Sequence, residues 1–254
     1  MDIRPGSVTV VLGPSGCGKS VTLKHIVGLL RPDAGEVWFD GQRIDRLRES
    51  DLVPVRRQIG FLFQQSALFD SMSVLDNVAF PLVEHSPMGA AGRSERVREV
   101  LEMVGLGGME GRMPGELSGG QRKRAALARA LALEPRLMLY DEPTTGLDPI
   151  RSDVINELIL RLQHRLRMTS IVVTHDLVSA FKVADHMIML YDGRVILEGA
   201  PQRFRETTDP LVQRFLRGEA GEDDLAGIAS AMANGVGSGA ASLRTPGTTP
   251  RHVP

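Results

Sequence analysis

The sequence has almost no cysteine, because Cys17 is the single one among 254 residues. An internal disulfide is therefore excluded, and the composition suits a reducing compartment such as the cytosol. Long apolar runs are also missing, since none approaches the roughly 20 residues that a helix needs to cross a bilayer, and no signal peptide is visible. We therefore expect any work at a membrane to proceed from its surface, through a partner.

Net charge is lacking as well. The 30 Lys and Arg residues are balanced by 31 Asp and Glu residues, which leaves a formal charge of −1. Such a balance gives no broad basic surface, so nucleic acid is not an expected partner. The chain does have 42% apolar residues, which at this length is enough for one sizeable core with room for a subdomain.

The most informative stretch is GPSGCGKS at residues 13–20, which matches the P-loop pattern G-x-x-x-x-G-K-S. An apolar run at residues 8–12 predicts a strand before it, and residues 21–30 predict a helix after it, which is the setting that the motif needs. Glycines let backbone N–H groups meet phosphate oxygens, Lys19 can reach the β- and γ-phosphates, and Ser20 can bind Mg²⁺. The candidate nucleotide-binding residues of this stretch are Gly13, Pro14, Ser15, Gly16, Cys17, Gly18, Lys19, Ser20 and Val21.

Shorter signals surround the P-loop. The pairs Asp-Gly at residues 40–41 and 192–193 predict two hairpin turns. A short strand is predicted at residues 57–64, and it ends at Gln64, which taken alone is typical of an ordinary surface amide. Cys17 fills an unconstrained position of the loop, which favours a tolerated small residue over a catalytic one.

A second anion cradle is predicted in the mostly helical region at residues 66–135. Within this region Ser94 is expected to cap a helix whose apolar residues recur at helical spacing. The sequence LSGGQ at residues 117–121 then precedes a strong helix former at residues 122–133. Ser118 suits an N-cap, and Gly119 and Gly120 leave backbone N–H groups uncovered, which together make a helix N-terminus that can bind an anion.

Three basic residues, Arg122, Lys123 and Arg124, fall in the first turn of that helix, which is the unfavourable end for cations. A docked anion would offset this cost, and so would nearby carboxylates. A solvated basic face is an equally good interpretation of the three residues.

Acidic and imidazole side chains follow two further apolar strands. The strand at residues 137–142 ends in Asp141, which can hold the Mg²⁺ shell, and Glu142, which can polarise an attacking water. The strand at residues 170–174 delivers His175 at its carboxyl end, where ligand residues of parallel sheets usually project. A structural histidine would be the better interpretation of His175 in isolation.

The C-terminal residues 219–254 are rich in Ala, Gly, Ser, Thr and Pro, with few large apolar side chains. Such a composition cannot repay the entropy of ordering, so this tail is predicted to be disordered. The rest of the chain, residues 1–218, is expected to form one domain.

The order of these motifs along the chain resembles that of the ATPase subunits of ABC transporters. The motifs that carry the resemblance are the P-loop, Gln64, LSGGQ, the Asp141-Glu142 strand, Leu147-Asp148 and His175. The resemblance covers about residues 3–217, and LSGGQ is its most specific motif. It implies an α/β fold: a P-loop NTPase core with a mostly parallel sheet, a small antiparallel β subdomain, and a helical subdomain at about residues 66–135 that carries the signature motif.

The resemblance also implies a division of labour. Glu142 would be the general base and His175 the switch, with Lys19 as the third catalytic residue, while Ser20, Gln64 and Asp141 would contact Mg²⁺. Asp148 would line a subunit contact in a homodimer that sandwiches two ATP molecules. The residues expected to close over the γ-phosphate of the other subunit's ATP are Ser118, Gly119, Gly120 and Gln121. From the residues alone, both cradles meeting one ATP within the same chain stays open.

A finer resemblance points to a cargo. Residues 63–82, 148–153 and 209–216 look like the Mla-type, MCE-associated phospholipid-transport ATPases. That resemblance implies an integral-membrane permease and an MCE-domain lipid carrier as partners, at the cytoplasmic face of a bacterial inner membrane. The Phe-Gln…Ala-Leu-Phe segment at residues 63–69 would contribute to the groove that receives the permease.

The chain departs from the ABC pattern at its start, since no aromatic residue that could stack on adenine precedes Gly13. Either the natural start lies upstream, with further strands, or base stacking is absent here. Three other functions stay open: transport of another cargo such as amino acids or lipoproteins, a non-transport ABC ATPase acting on nucleic acid, and an inactive regulatory subunit. The intact catalytic set argues against the last, and the single cassette argues against the second.

Overall fold

The computed structural model describes residues 1–220, and it alternates strands and helices along the chain. The first half contains β1 (Val8–Leu12), α1 (Lys19–Ile26), β2 (Trp38–Phe39), β3 (Gln42–Arg43), α2 (Glu49–Arg56), β4 (Ile59–Leu62), α3 (Val74–His85), α4 (Ala90–Met103), a 3-10 turn (Pro114–Glu116) and α5 (Gly119–Leu131). The second half contains β5 (Leu137–Asp141), α6 (Pro149–Leu166), β6 (Thr169–Thr174), α7 (Leu177–Val183), β7 (His186–Tyr191), β8 (Arg194–Gly199), α8 (Pro201–Glu206) and α9 (Pro210–Arg217).

Within residues 1–220, six strands form one sheet in the order β4-β5-β6-β1-β7-β8, and only its β7–β8 pair is antiparallel. All five residues of β1 are buried. Successive side chains of a strand point to opposite faces, so uninterrupted burial means that both faces of the sheet are covered. This explains why β1 reads as a continuous apolar run, and the predicted strand at residues 8–12 is confirmed.

The sheet topology assembles the candidate site. In parallel register, Leu12 of β1 lies beside Thr174 of β6, and Asp141 of β5 lies beside Val173 of β6. The carboxyl ends of β4, β5, β6 and β1 therefore meet at one edge, where open α/β sheets bind their ligands. Gln64, Glu142, His175 and the P-loop each follow one of these four strands.

Both Asp-Gly hairpins are confirmed. β2 pairs with β3 around Asp40 (φ 49°) and Gly41 (φ 76°), and β7 pairs with β8 around Asp192 (φ 47°) and Gly193 (φ 70°). Two consecutive residues with positive φ are the requirement of the two-residue turn that Asp-Gly favours.

Several boundaries differ from the predicted ones. The helix predicted to reach residue 133 ends at Leu131, and the strand predicted at residues 57–64 covers only Ile59–Leu62. The helix after the P-loop ends at Ile26 instead of continuing to residue 30, because Gly28 adopts φ 67° and turns the chain. α4 begins at Ala90 after Gly89, so Ser94 lies inside the helix and is not its N-cap. The apolar positions predicted for this helix, at Val97, Val100, Leu101 and Val104, are buried.

By its internal contacts the chain divides into a unit Met1–Val212 and a second unit that begins at Gln213. Every candidate site residue belongs to the first unit. The predicted disordered tail lies outside the described residues, apart from residues 219 and 220. Among the described helices, none combines the length and the apolar character that a membrane span requires.

Candidate active site

The P-loop connects β1 to α1 through three glycines in the left-handed region, Gly13 at φ 153°, Gly16 at φ 83° and Gly18 at φ 103°. At Gly13 a side chain is excluded by space as well, because a Cβ would lie 2.1 Å from the carbonyl oxygen of Leu190. These glycines direct the loop around the N-terminus of α1, whose first N–H groups have no partner within the helix.

Lys19, the first residue of α1, is buried and points back into the loop. Its Nζ donates to the carbonyl oxygens of Gly13 at 2.8 Å and Pro14 at 3.0 Å. The same ammonium group lies 3.9 Å from Oε1 of Glu142. A cation is thus held between the phosphate loop and the candidate general base.

Ser20 and Asp141 place two hard oxygen donors side by side. The Ser20 hydroxyl donates to Oδ1 of Asp141 at 2.9 Å. Burial raises the pKa of Asp141 above its ordinary value, while the hydrogen bond from Ser20 opposes the shift and the neighbouring Glu142 adds to it. A hydroxyl and a carboxylate fit Mg²⁺, which is usually held by one or two protein oxygens together with substrate phosphates and water.

Glu142 is buried and adopts φ 50°, a backbone conformation that is rare outside glycine. Its N–H donates to Val173 O at 2.9 Å, which ties the residue to the end of β6. One carboxylate oxygen accepts from Thr145 Oγ1 at 3.2 Å and Thr174 Oγ1 at 3.4 Å, and the other lies 2.9 Å from His175 Nδ1. The carboxylate is therefore fixed in position by Thr145 from the loop after β5 and by Thr174 and His175 at the end of β6.

His175 stays half-exposed, with 53% of its side chain accessible. The next residue, Asp176, caps α7 by accepting from the N–H groups of Val178 and Ser179, and its own N–H donates to Thr174 Oγ1. The imidazole is thereby held at the rim of the pocket, bonded to Glu142 on one side and open on the other.

These groups enclose a pocket of about 300 Å³ at the sheet edge. Its lining residues are Ser15, Gly16, Gly18, Lys19, Ser20, Val21, Gln64, Glu142 and His175. Every one of them belongs to the set predicted from the sequence. Gly13, Pro14 and Cys17 shape the loop without lining the pocket. A larger cavity of about 670 Å³ lies beside the β2–β3 hairpin, and none of the predicted site residues lines it.

The LSGGQ element lies apart from this pocket. Ser118 caps α5 by accepting from Gln121 N at 3.3 Å, and Gln121 Oε1 accepts from Ser118 N at 2.8 Å, so the Gln121 side chain is used in a capping box. A Cβ built on Gly119 or Gly120 would approach Leu147 or Arg151, not the P-loop. The second cradle therefore sits next to the N-terminus of α6, where Asp148 is the N-cap.

α5 begins at Gly119, so Arg122, Lys123 and Arg124 are its fourth to sixth residues and extend into the second turn, beyond the predicted first turn. All three bond to backbone carbonyls, an arrangement that the sequence did not indicate. Arg122 Nη1 donates to Leu117 O at 2.7 Å, and Arg124 Nη1 donates to Gly105 O at 2.8 Å. Lys123 is 5% exposed and donates to Gln64 O at 2.5 Å and Glu142 O at 3.3 Å. Lys123 is therefore not part of a solvated basic face, and it does not need a docked anion to compensate its charge. Backbone carbonyls inside the fold accept hydrogen bonds from its ammonium group instead.

A family model described as "ABC transporter" matches residues 1–145. Among curated proteins, the chain is 46% identical over 220 residues to the intermembrane phospholipid transport system ATP-binding protein MlaF of Haemophilus influenzae, covering 87% of this chain and 83% of that protein. It is 44% identical over 218 residues to the probable ribonucleotide transport ATP-binding protein mkl of Mycobacterium leprae, covering 86% of this chain and 63% of that protein.

Solved structures agree with this match. The chain is 37% identical, with a TM-score of 0.73, to an ATP-binding cassette solved as a dimer in a post-hydrolysis state bound to ADP and Pi. The alignment covers 79% of this chain and 88% of the solved one.

Proposed function

This chain belongs to the ABC transporter family of ATPases, and from that premise we propose that it powers phospholipid transport between two membranes through a partner permease. The observation that carries the cargo is the identity of 45–46% over 87% of the chain to MlaF proteins of two bacteria. The observation that carries the chemistry is the pocket in which Lys19, Glu142 and His175 converge.

ATP hydrolysis follows from the positions of these side chains. The P-loop N–H groups and Lys19 bind the phosphates of ATP, and phosphoryl transfer to water then needs mainly alignment and neutralisation of charge. Glu142 takes the proton of the attacking water, since its carboxylate is fixed by hydroxyl donors and by His175. His175 lines the same pocket with half of its side chain exposed, so its imidazole is available to bond the γ-phosphate.

Ser20 and Asp141 are the residues that would hold Mg²⁺, with Gln64 completing the set from the loop after β4. The distance of 2.9 Å between Ser20 Oγ and Asp141 Oδ1 supports this assignment. When bound, the ion neutralises charge that develops on the β- and γ-phosphate oxygens. Gln64 is exposed and lines the pocket, so its amide is free to turn toward such an ion.

A homodimer explains the separation of the two cradles. The lining of the P-loop pocket includes no residue of LSGGQ, and two-fold symmetry is the commonest arrangement of identical subunits. Gly119 and Gly120 are helical, and a Cβ on either would make only ordinary contacts within the chain, at 3.6 and 3.7 Å. Glycine in a helix costs about 1 kcal/mol relative to alanine, so close approach by a group from outside the chain accounts for them best.

The permease would dock on an exposed aromatic surface of the helical region, formed by Phe69, Phe80 and Val83. The rings of Phe69 and Phe80 lie 5.0 Å apart, and all three side chains are about 40–55% exposed. Buried Asn77 holds the backbone of Phe69 by accepting from its N–H and donating to its carbonyl oxygen. Isolated exposed apolar residues are common, but adjoining aromatic ones are typical of interaction sites. With such a permease, the chain would work at the cytoplasmic face of the inner membrane.

An MCE-domain lipid carrier would complete the assembly on the far side of the permease. A different cargo is the main alternative, because a relative named for ribonucleotide transport is nearly as similar, at 44% identity. Amino-acid import and lipoprotein release are alternatives of the same kind, since the ATPase itself does not touch the cargo.

The cargo is tested by mild detergent purification of the full tagged chain from its native membranes, followed by mass spectrometry of proteins and lipids. We expect a permease, an MCE-domain protein and co-purifying phospholipid. Recovery of a permease with a solute-binding protein and no enriched phospholipid would contradict the proposed cargo and leave the ATPase chemistry standing.

A further inference from the structure

We propose that Lys123 is a positioning residue for ATP hydrolysis, which fixes the backbone of Gln64 and Glu142 to the N-terminal part of α5. The inference rests on the proposed role of Glu142 as general base. It concerns a residue outside the P-loop pocket, since Lys123 does not line that pocket.

Lys123 is a buried cation whose ammonium group bonds two backbone carbonyls. Its Nζ donates to Gln64 O at 2.5 Å and to Glu142 O at 3.3 Å, and only 5% of the residue is exposed. Burial lowers the pKa of Lys123, and the nearby carboxylates of Asp141 and Glu142 oppose that shift. A buried ammonium group is tolerated only where hydrogen bonds replace its water, so these two carbonyls hold it in place.

The two carbonyls belong to residues whose side chains both line the nucleotide pocket. Gln64 follows β4 and Glu142 follows β5, and those strands are neighbours in the sheet. Glu142 also holds an unfavourable left-handed backbone, at φ 50°. Such a conformation persists where surrounding contacts fix it. The Lys123 ammonium is one such contact, together with the bond from Glu142 N to Val173 O.

A second cation of α5 extends the same attachment. Arg129 Nη2 donates to Ser66 O at 3.2 Å, two residues beyond Gln64, and its guanidinium lies 5.6 Å from the centre of the Phe69 ring. The loop after β4 is therefore bonded to α5 at two carbonyls. Since α5 begins directly after Ser118, a displacement of the signature element displaces the backbone of Gln64 and Glu142 with it.

The test is Lys123→Met, which keeps the length of the side chain and removes the ammonium group. We expect kcat for ATP hydrolysis to fall at least about tenfold, because a misplacement of the reacting groups by 1 Å can cost a hundredfold. ATP affinity, measured by equilibrium binding, should change less than about threefold, because Lys19 and the P-loop are untouched. Lys123→Arg keeps a charged donor and should recover most of the lost kcat.

The matched control is Arg96→Met. Arg96 is also a buried cation, and it bonds two carbonyls of the same helix region, Leu131 O and Ala132 O, at the opposite end of α5. The substitution Arg96→Met should lower the melting temperature without lowering kcat per folded molecule. Lys123→Gln, whose amide still donates one hydrogen bond, is measured in parallel and replaces Lys123→Met if that variant does not fold.

The inference is overturned if Lys123→Met, or Lys123→Gln in its place, keeps kcat within about twofold of the parent chain. Equal losses of kcat in Lys123→Met and in Arg96→Met would overturn it as well, because they would indicate a structural role alone. Glu142→Gln is assayed alongside. If Glu142→Gln loses turnover and Lys123→Met keeps the kcat of the parent chain, only the inference fails. If Glu142→Gln turns over normally, the proposed base itself is wrong.

Discussion

Replacing the candidate base is the sharpest perturbation of the pocket. Glu142→Gln keeps the shape of the side chain and an oxygen that can accept from Thr145 and Thr174, but it removes the proton acceptor. General base catalysis contributes about 10²–10⁴-fold, which at 1.36 kcal/mol per tenfold corresponds to about 2.7–5.4 kcal/mol of barrier. We therefore expect kcat to fall by about that factor, while ATP still binds.

The assay is steady-state phosphate release together with gel filtration in ATP. The variant should accumulate as an ATP-bound dimer, because closure no longer leads to hydrolysis. The matched control is Glu134→Gln, since Glu134 shares a left-handed backbone, at φ 55°, but is a surface residue. The control should retain parental turnover. Turnover of Glu142→Gln within about threefold of the parent would refute the assignment of the base.

The other substitutions address binding, the metal and the loop. Lys19→Ala should weaken ATP binding by about 10–150-fold, the equivalent of about 1.5–3 kcal/mol for a charge-assisted hydrogen bond, and unchanged affinity in a titration would contradict the phosphate role. Asp141→Asn retains an acceptor for Ser20 and should abolish Mg²⁺-dependent turnover without lowering the melting temperature. Because burial raises the pKa of Asp141 in the folded state, its ionised carboxylate destabilises the fold above that pKa. The difference in free energy of unfolding between the parent chain and Asp141→Asn should therefore shrink as pH falls through that pKa. A difference that stays constant with pH would argue against this. Gly13→Ala forces a Cβ against Leu190 O and should cost at least about 2 kcal/mol, or about 4 °C or more in melting temperature; an unchanged melting curve would contradict the loop geometry.

The residues of the site were predictable because each follows a local pattern. The P-loop glycines, the carboxylates after β5 and His175 after β6 all lie at strand ends, and a parallel sheet brings such ends together. The strand order of the sheet, with β1 between β6 and β7, cannot be predicted from any local stretch. It depends on packing between segments far apart in sequence.

Lys123 shows what local patterns miss. From the sequence, a cation near the N-terminus of a helix looks unfavourable because of the helix dipole. The acceptors that stabilise Lys123, the carbonyls of Gln64 and Glu142, lie 59 and 19 residues away along the chain. Backbone carbonyls carry no signal in the sequence, so their use by a side chain is visible only in the folded chain. The prediction that Ser94 caps a helix was wrong for a simpler reason. Capping residues are also tolerated within helices, and α4 begins at Ala90, before Ser94.

The most direct test of the account is to mix two inactive chains. Lys19→Ala disables the P-loop cradle, and Gly120→Asp places a carboxylate in the signature cradle, where a Cβ meets only ordinary contacts at 3.7 Å. If each ATP lies between the P-loop of one subunit and the signature element of the other, a mixed dimer has one intact site. The account predicts that each variant alone is inactive and that mixing them restores ATP hydrolysis well above the sum of the two. Absence of any recovery, in a mixture shown by cross-linking to contain mixed dimers, would contradict the shared site.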